Sequence, residues 1–148
     1  MNIRVTTGGI IEKDGKFLLV QENKEKCKGK WNIPAGGLKA DENVLECVKR
    51  ELFEETGCKV KITGLIEILN GVYEGINVVS FFFDTKLIEE NISVDGKEIS
   101  NANWFSYEEI TNMKDNLRAG GYFLDIIKKK LENKIWPLDV INFSNEEG

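Results

Sequence analysis

A chain of 148 residues can bury one proper core and is too short for two ordinary domains, so a single domain over residues 1–148 is expected. Its net charge of -5 and pI near 5.0 argue against duplex DNA or an anionic membrane as a partner, because those surfaces select clustered Lys and Arg. It has no histidine, which excludes Ser-His-Asp and Cys-His nucleophilic machinery and the usual zinc hydrolases. No apolar run approaches the ~18 residues of a membrane span, and the opening MNIRVTTGG lacks the apolar stretch of a signal peptide, so a cytoplasmic location is expected. Cys27, Cys47 and Cys58 are spaced for neither a disulfide framework nor a zinc motif and read as reduced thiols.

In chain order, residues 3–12 and 17–22 are β-rich runs around Asp14-Gly15, a pair that favours a tight hairpin turn. The loop 23–30 carries Lys24, Lys26, Lys28 and Lys30 and reads as solvated. A short strand from Trp31 leads into Ala35-Gly36-Gly37, where the glycines let the backbone turn and approach a ligand closely. Asn43 with Glu46 forms a capping box that opens a helix, and Gly57 stops it. Residues 59–69 and 72–87 read as strands, the second with an apolar run, 78–83, suited to a strand covered on both faces. A loop follows over 88–97, then a short strand over 102–105 and a second capping box at Ser106 and Glu109. Residues 117–131 read as an amphipathic helix, with a tail reaching residue 148.

The chemistry concentrates in residues 36–58. Glu51, Glu54 and Glu55 stand three and four residues apart, which on a helix confines the carboxylates to an arc of roughly 100°. Val44, Leu45, Val48 and Leu52 fall on an overlapping sector, so the acids sit at the edge of the buried stripe. Three anions repel one another there by several kcal/mol at separations of about 4 Å, and a divalent cation removes the repulsion. Hard oxygen ligands suit Mg²⁺ or Mn²⁺, which take one or two carboxylates each and substrate phosphates besides.

Gly36, then Glu42, then Arg50-Glu51-Leu52-Phe53-Glu54-Glu55-Thr56-Gly57 resembles the Nudix box of hydrolases that cleave nucleoside diphosphates linked to another group. The departure is Cys58, where the motif has an aliphatic residue; a small thiol can fill that slot. The resemblance implies a Nudix α/β/α sandwich, an α/β fold with a mixed β-sheet between helices. It also implies an enzyme hydrolysing a phosphoanhydride bond in a small nucleoside di- or triphosphate or related pyrophosphate. Glu51, Glu54, Glu55 and Gly36 would serve the metal, and Arg50 would hold the glutamates in register with Glu42. Glu98, six residues ahead of Trp104, resembles a further family glutamate that joins the metal or acts as base, so Glu54 and Glu98 are both candidate bases.

The tail around Trp136-Pro137-Leu138 resembles phosphatase-like members acting on nucleoside or thiamine-type pyrophosphates, and either closes the site or anchors packing. Trp31, Tyr73 and Phe81 to Phe83 offer aromatic surface for one ring of a small phosphorylated substrate. Alternatives are a dinucleoside polyphosphate hydrolase, an RNA 5′-end pyrophosphohydrolase, and a non-catalytic nucleotide-binding regulator.

Overall fold

The computed structural model describes residues 2–144; Met1 and the last part of the expected tail, 145–148, lie outside the described residues. Strand β1 (Ile3–Ile10) is rich in β-branched residues and buried over its second half, and a short β2 (Glu12–Lys13) turns through Asp14 and Gly15, both left-handed, into β3 (Lys16–Glu22). β4 (Trp31–Asn32) and β5 (Ala35–Gly37) precede helix α1 (Val44–Thr56). β6 (Lys59–Tyr73) and β7 (Ile76–Glu89) form a long hairpin, followed by β8 (Ile99–Ser106), α2 (Tyr107–Asn112) and α3 (Phe123–Leu131).

These strands make a mixed four-stranded sheet, β5-β1-β7-β6, in which β1 and β7 run parallel. A second, antiparallel four-stranded sheet is built around β3, which pairs with β2, β4 and β8. Successive strand residues point to opposite faces, so runs without polar interruption bury both sides. Phe82 enters a core with Ile110, Phe123, Ile126 and Ile127 under α2 and α3, whereas Phe83 enters one with Val48 and Leu52 under α1. The layers are helix, sheet, helix: the α/β/α sandwich expected from the sequence. Cys58 is buried in the α1-side core and does the work of an aliphatic residue.

Three sequence readings need correction, and the two roles left open for the tail are narrowed to one. The strand break expected near Asn70-Gly71 does not occur, because both residues stay in the β6–β7 ladder and the Tyr73 side chain folds over Gly71. The turn falls instead at Glu74-Gly75, both left-handed. The helix expected over 117–131 begins only at Phe123, since Ala119 (φ 50°), Gly120 (φ 69°) and Gly121 (φ 79°) cannot continue a right-handed helix. Phe82 and Phe83 are fully packed and offer a ligand no surface, while Trp31 is half-buried edge-on to Phe105. In the tail, the Trp136 main chain pairs in both directions with Leu65 (2.8 and 2.9 Å), on the sheet edge away from β5. Leu138 and Ile141 pack on the α1-side core, so the tail anchors β6. Among the described residues no helix is long and apolar enough to cross a membrane.

Candidate active site

Helix α1 is fixed at both ends by its own sequence. Asn43 and Glu46 exchange hydrogen bonds of 2.9 Å as a complete capping box, and left-handed Gly57 donates its amide to the Phe53 carbonyl. A Cβ on Gly57 would also strike the Asn91 carbonyl oxygen. Val48 and Leu52 then bury against the sheet, which turns the polar face carrying Arg50, Glu51, Glu54 and Glu55 toward β5.

β5 is an edge strand, and its alternation decides which main-chain groups meet those side chains. In the antiparallel register Gly36 stands opposite Thr7, flanked by bonds from Gly9 to Pro34 and from Leu38 to Val5, so the polar groups of Gly36 face β1. Ala35 and Gly37 face outward. The Ala35 amide donates to Glu55 Oε1 (2.9 Å), and the Gly37 carbonyl accepts from Arg50 Nη2 (3.1 Å). The contribution of Gly36 is steric: a Cβ there would land on the Glu51 carboxylate. This modifies the expectation of Gly36 as a metal-holding residue, because the outward main chain beside the acids belongs to its neighbours.

Arg50 gathers the acids. Its Nε and Nη2 grip Glu42 in bidentate fashion (2.9 and 2.6 Å), and Nη1 reaches both Glu51 (2.7 Å) and Glu54 (3.2 Å). The guanidinium holds the Glu42 carboxyl down at about 2, while Glu42 and Glu51 raise the already high pKa of Arg50 further. Glu55 lies outside this grip. Burial pushes its carboxyl up to about 8 against the opposing Ala35 hydrogen bond, and the charges of Glu51 and Glu22 push in the same direction as burial. Glu54 is the outermost of the three, with about half its side chain exposed.

The sequence-predicted residues Gly36, Arg50, Glu51, Glu54 and Glu55 thus come together, with Glu42 behind them. Glu98 does not join them. It is exposed, its amide accepted by Asp95 Oδ1 (3.2 Å), and no hydrogen bond or ion pair ties its carboxylate to the helix acids among the described residues. Nor, among the described residues, do any three acidic or cysteine side chains stand close enough together to hold a metal ion between them.

A second polar group escaped the sequence reading. Glu22 accepts from Arg118 and from Asn32 Nδ2 (3.2 Å), and Asn32 Oδ1 accepts from the Tyr122 hydroxyl (3.0 Å). An arginine, a glutamate, an asparagine and a tyrosine outside any motif give no local signal; only the fold joins residues this distant.

The family model described as NUDIX domain matches residues 2–124. The chain belongs to the Nudix hydrolase family. It is similar to phosphatase NudJ of Escherichia coli, at 32% identity over 145 residues that cover 95% of this chain and 92% of that protein. A longer Caenorhabditis elegans protein, described as a nudix hydrolase, matches at 31% identity over 107 residues; the match covers 28% of it. A NUDIX hydrolase from Nitrosomonas europaea superposes with a TM-score of 0.87 at 29% identity, covering 95% of this chain and 97% of that one. Membership makes this Nudix protein an enzyme of phosphoanhydride bonds, and of the box expected from sequence Arg50 gathers Glu42, Glu51 and Glu54 while the Ala35 amide holds Glu55.

Proposed function

We propose that the protein is a metal-dependent hydrolase of a phosphoanhydride bond in a small nucleoside di- or triphosphate or related pyrophosphate. The observation that supports this reading best is that Arg50 Nη1 holds Glu51 and Glu54 together beside an edge strand whose Gly36 leaves room for the Glu51 carboxylate and whose Ala35 amide holds Glu55. The donor set fits a hard divalent cation. It is all oxygen, it carries more negative charge than Arg50 offsets, and a cation would favour the charged form of Glu55 that burial disfavours. Glu51, Glu54 and Glu55 would hold Mg²⁺ or Mn²⁺, which when bound supplies charge neutralisation for the phosphates and a more acidic water.

The chain's own residues do the remainder. Arg50 fixes Glu51 and Glu54 relative to β5 through Glu42 and the Gly37 carbonyl, so the acids meet substrate already oriented. The Ala35 amide orients Glu55. Of the two candidate bases, geometry favours Glu54, which is exposed, held by one long hydrogen bond and adjacent to Glu51; Glu98 is joined to neither. A small substrate suits the charge of -5, which offers no basic track for an RNA 5′ end. Similarity to a protein named a phosphatase supports the same class. Cys27, Cys47 and Cys58 are all free thiols, which supports a reducing cytoplasm as its place of work.

The test is phosphate release from a panel of nucleoside tri- and diphosphates, dinucleotides, sugar nucleotides and thiamine pyrophosphate, with Mg²⁺, with Mn²⁺ and with EDTA. Turnover of a mononucleotide-sized pyrophosphate that EDTA abolishes is expected. Undiminished turnover in EDTA, or an RNA 5′ end preferred to every small substrate, refutes it.

A further inference from the structure

The Glu22 cluster has no part in the chemistry so far, yet it is built at some expense. Glu22 and Asn32 are largely withdrawn from solvent, and Arg118 and Tyr122 reach them from the far end of the chain. The connection depends on three successive left-handed residues, Ala119, Gly120 and Gly121, which reverse the chain so that Arg118 and Tyr122 arrive on the same pair. Ala119 at φ 50°, ψ 43° is strained by roughly 1 kcal/mol relative to the right-handed region. Such strain persists where the surroundings over-determine it, and it concentrates at binding sites.

The cluster adjoins the carboxylates. Asn32 lies three residues before Ala35, whose amide holds Glu55, which limits their separation to about 10 Å of chain. Burial pushes the Tyr122 phenol well up, and the charges of both Glu22 and Glu55 push it further, so the phenol feels the two clusters together. The Tyr122 ring packs at 5.8 Å from Phe82, which fixes its angle. Arg118 is less fully used. A single guanidinium nitrogen, Nη1, bonds to Glu22, and 43% of the side chain is exposed, leaving most of its five donors for a ligand. A planar fork with unused donors beside a phosphate-hydrolysing site matches the bidentate geometry of phosphate oxygens.

We propose that Arg118 is a specificity-determining residue whose guanidinium, aimed by Glu22 and the left-handed turn, binds a phosphate group of the substrate beside the Glu55 end of the site. The inference rests on the phosphoanhydride reading above and assigns Arg118 to substrate affinity rather than to bond cleavage. Loss of such a contact raises KM and leaves kcat nearly unchanged.

Arg118→Ala and Arg118→Lys are compared with the unaltered protein on its best small substrate at saturating Mg²⁺. Arg118→Ala raises KM by about tenfold or more with kcat within about threefold, and Arg118→Lys, which keeps charge without the fork, recovers part of the loss. Should Arg118→Ala fail to fold, the lysine variant alone gives the same split in smaller measure. An unchanged KM in the variants that fold, or a kcat that falls as much as KM rises, overturns the assignment and leaves Arg118 as a structural tie. Calorimetric binding of α,β-methylene adenosine diphosphate separates this from the hydrolase reading, since it needs no turnover. Tighter binding by the unaltered protein than by Arg118→Ala supports the proposal even if no substrate on the panel is cleaved. Equal binding, or none by the unaltered protein, overturns it.

Discussion

Arg50 beside β5 of the mixed sheet and Arg118 beside β3 of the antiparallel sheet each hold acidic side chains, but they are used in opposite ways. Arg50 serves Glu42, Glu51 and Glu54 and the Gly37 carbonyl, with all three nitrogens engaged and only 21% of its side chain exposed. Arg118 serves Glu22 alone, through one nitrogen. A guanidinium whose donors are all taken inside the protein can only hold shape, whereas one with donors unused can bind. The difference identifies Arg50 as the frame of the site and Arg118 as its reach toward substrate.

The sharpest way to break this contrast is to alter the acids that Arg50 frames. Glu54→Gln keeps shape and removes an anion, and Glu55→Gln keeps shape and removes a carboxyl that could ionise on a cation, so turnover should fall by several orders of magnitude in each while the protein still folds. Near-normal kcat in either variant would remove that acid from the metal assignment. Next in size is Arg50→Ala. It leaves Glu42 and Glu51 mutually repelling with little solvent, and urea unfolding should show a loss of about 2 to 3 kcal/mol. Arg50→Lys should recover little of it, because one ammonium cannot replace a fork that spans three carboxylates. A lysine variant as stable as the original would mean that charge alone sufficed.

The two clusters also differ in how far sequence could reveal them. Every partner of Arg50 lies between Gly37 and Glu54; helical periodicity put the three glutamates on one face, and the resemblance to the Nudix box supplied the link from Arg50 to Glu42. The sandwich came from the same resemblance, with which the element order agreed, the amphipathic α1 and the continuous apolar run of β7 among it. Glu22, Asn32, Arg118 and Tyr122 were not legible. Their contacts span most of the chain, and the turn that joins them lies in a stretch whose amphipathic pattern reads as helix. Gly120-Gly121 was the local signal that could have stopped that reading. Likewise Asn70-Gly71 resembles a turn on paper because nothing local shows Tyr73 covering the glycine.

Smaller effects follow from metal and from acid. A cation that binds the folded acids stabilises the protein by mass action, about 2.7 kcal/mol at a hundredfold excess over Kd, or about 5 to 10 °C in Tm for a domain of this size. Thermal melts with and without millimolar Mn²⁺ measure it, and an unmoved Tm would count against the site. Glu42 gives the framing cluster an acid limit. Arg50 depresses its folded pKa from 4.5 to about 2, so the carboxylate form is the one that folding favours. That contribution is present above pH 4.5 and is lost as pH falls from there toward 2. Glu42→Gln should flatten the dependence of Tm on pH in that window, and an unchanged slope would show that Glu42 does not set it.

The smallest effect tests the strain at the other cluster. Ala119 is the one residue with a Cβ in the left-handed run, and replacing it with glycine relieves roughly 1 kcal/mol of backbone strain. Glycine also widens the unfolded ensemble, which opposes the gain by about 0.4 to 1 kcal/mol. The net change in stability should therefore stay within about 0.5 kcal/mol, with KM and kcat unaltered, because the Glu22–Arg118 and Asn32–Tyr122 bonds need the turn's shape and not the Ala119 methyl group. Gly121→Ala is the matched opposite. Its φ of 79° is kept without strain only by glycine, and a Cβ there would crowd Leu117 at 2.9 Å and Leu124 at 3.2 Å, so it should both destabilise the protein and raise KM. If Ala119→Gly raised KM as Gly121→Ala does, the alanine itself would touch substrate, and the turn would be part of the binding surface rather than the hinge that delivers Arg118 to it.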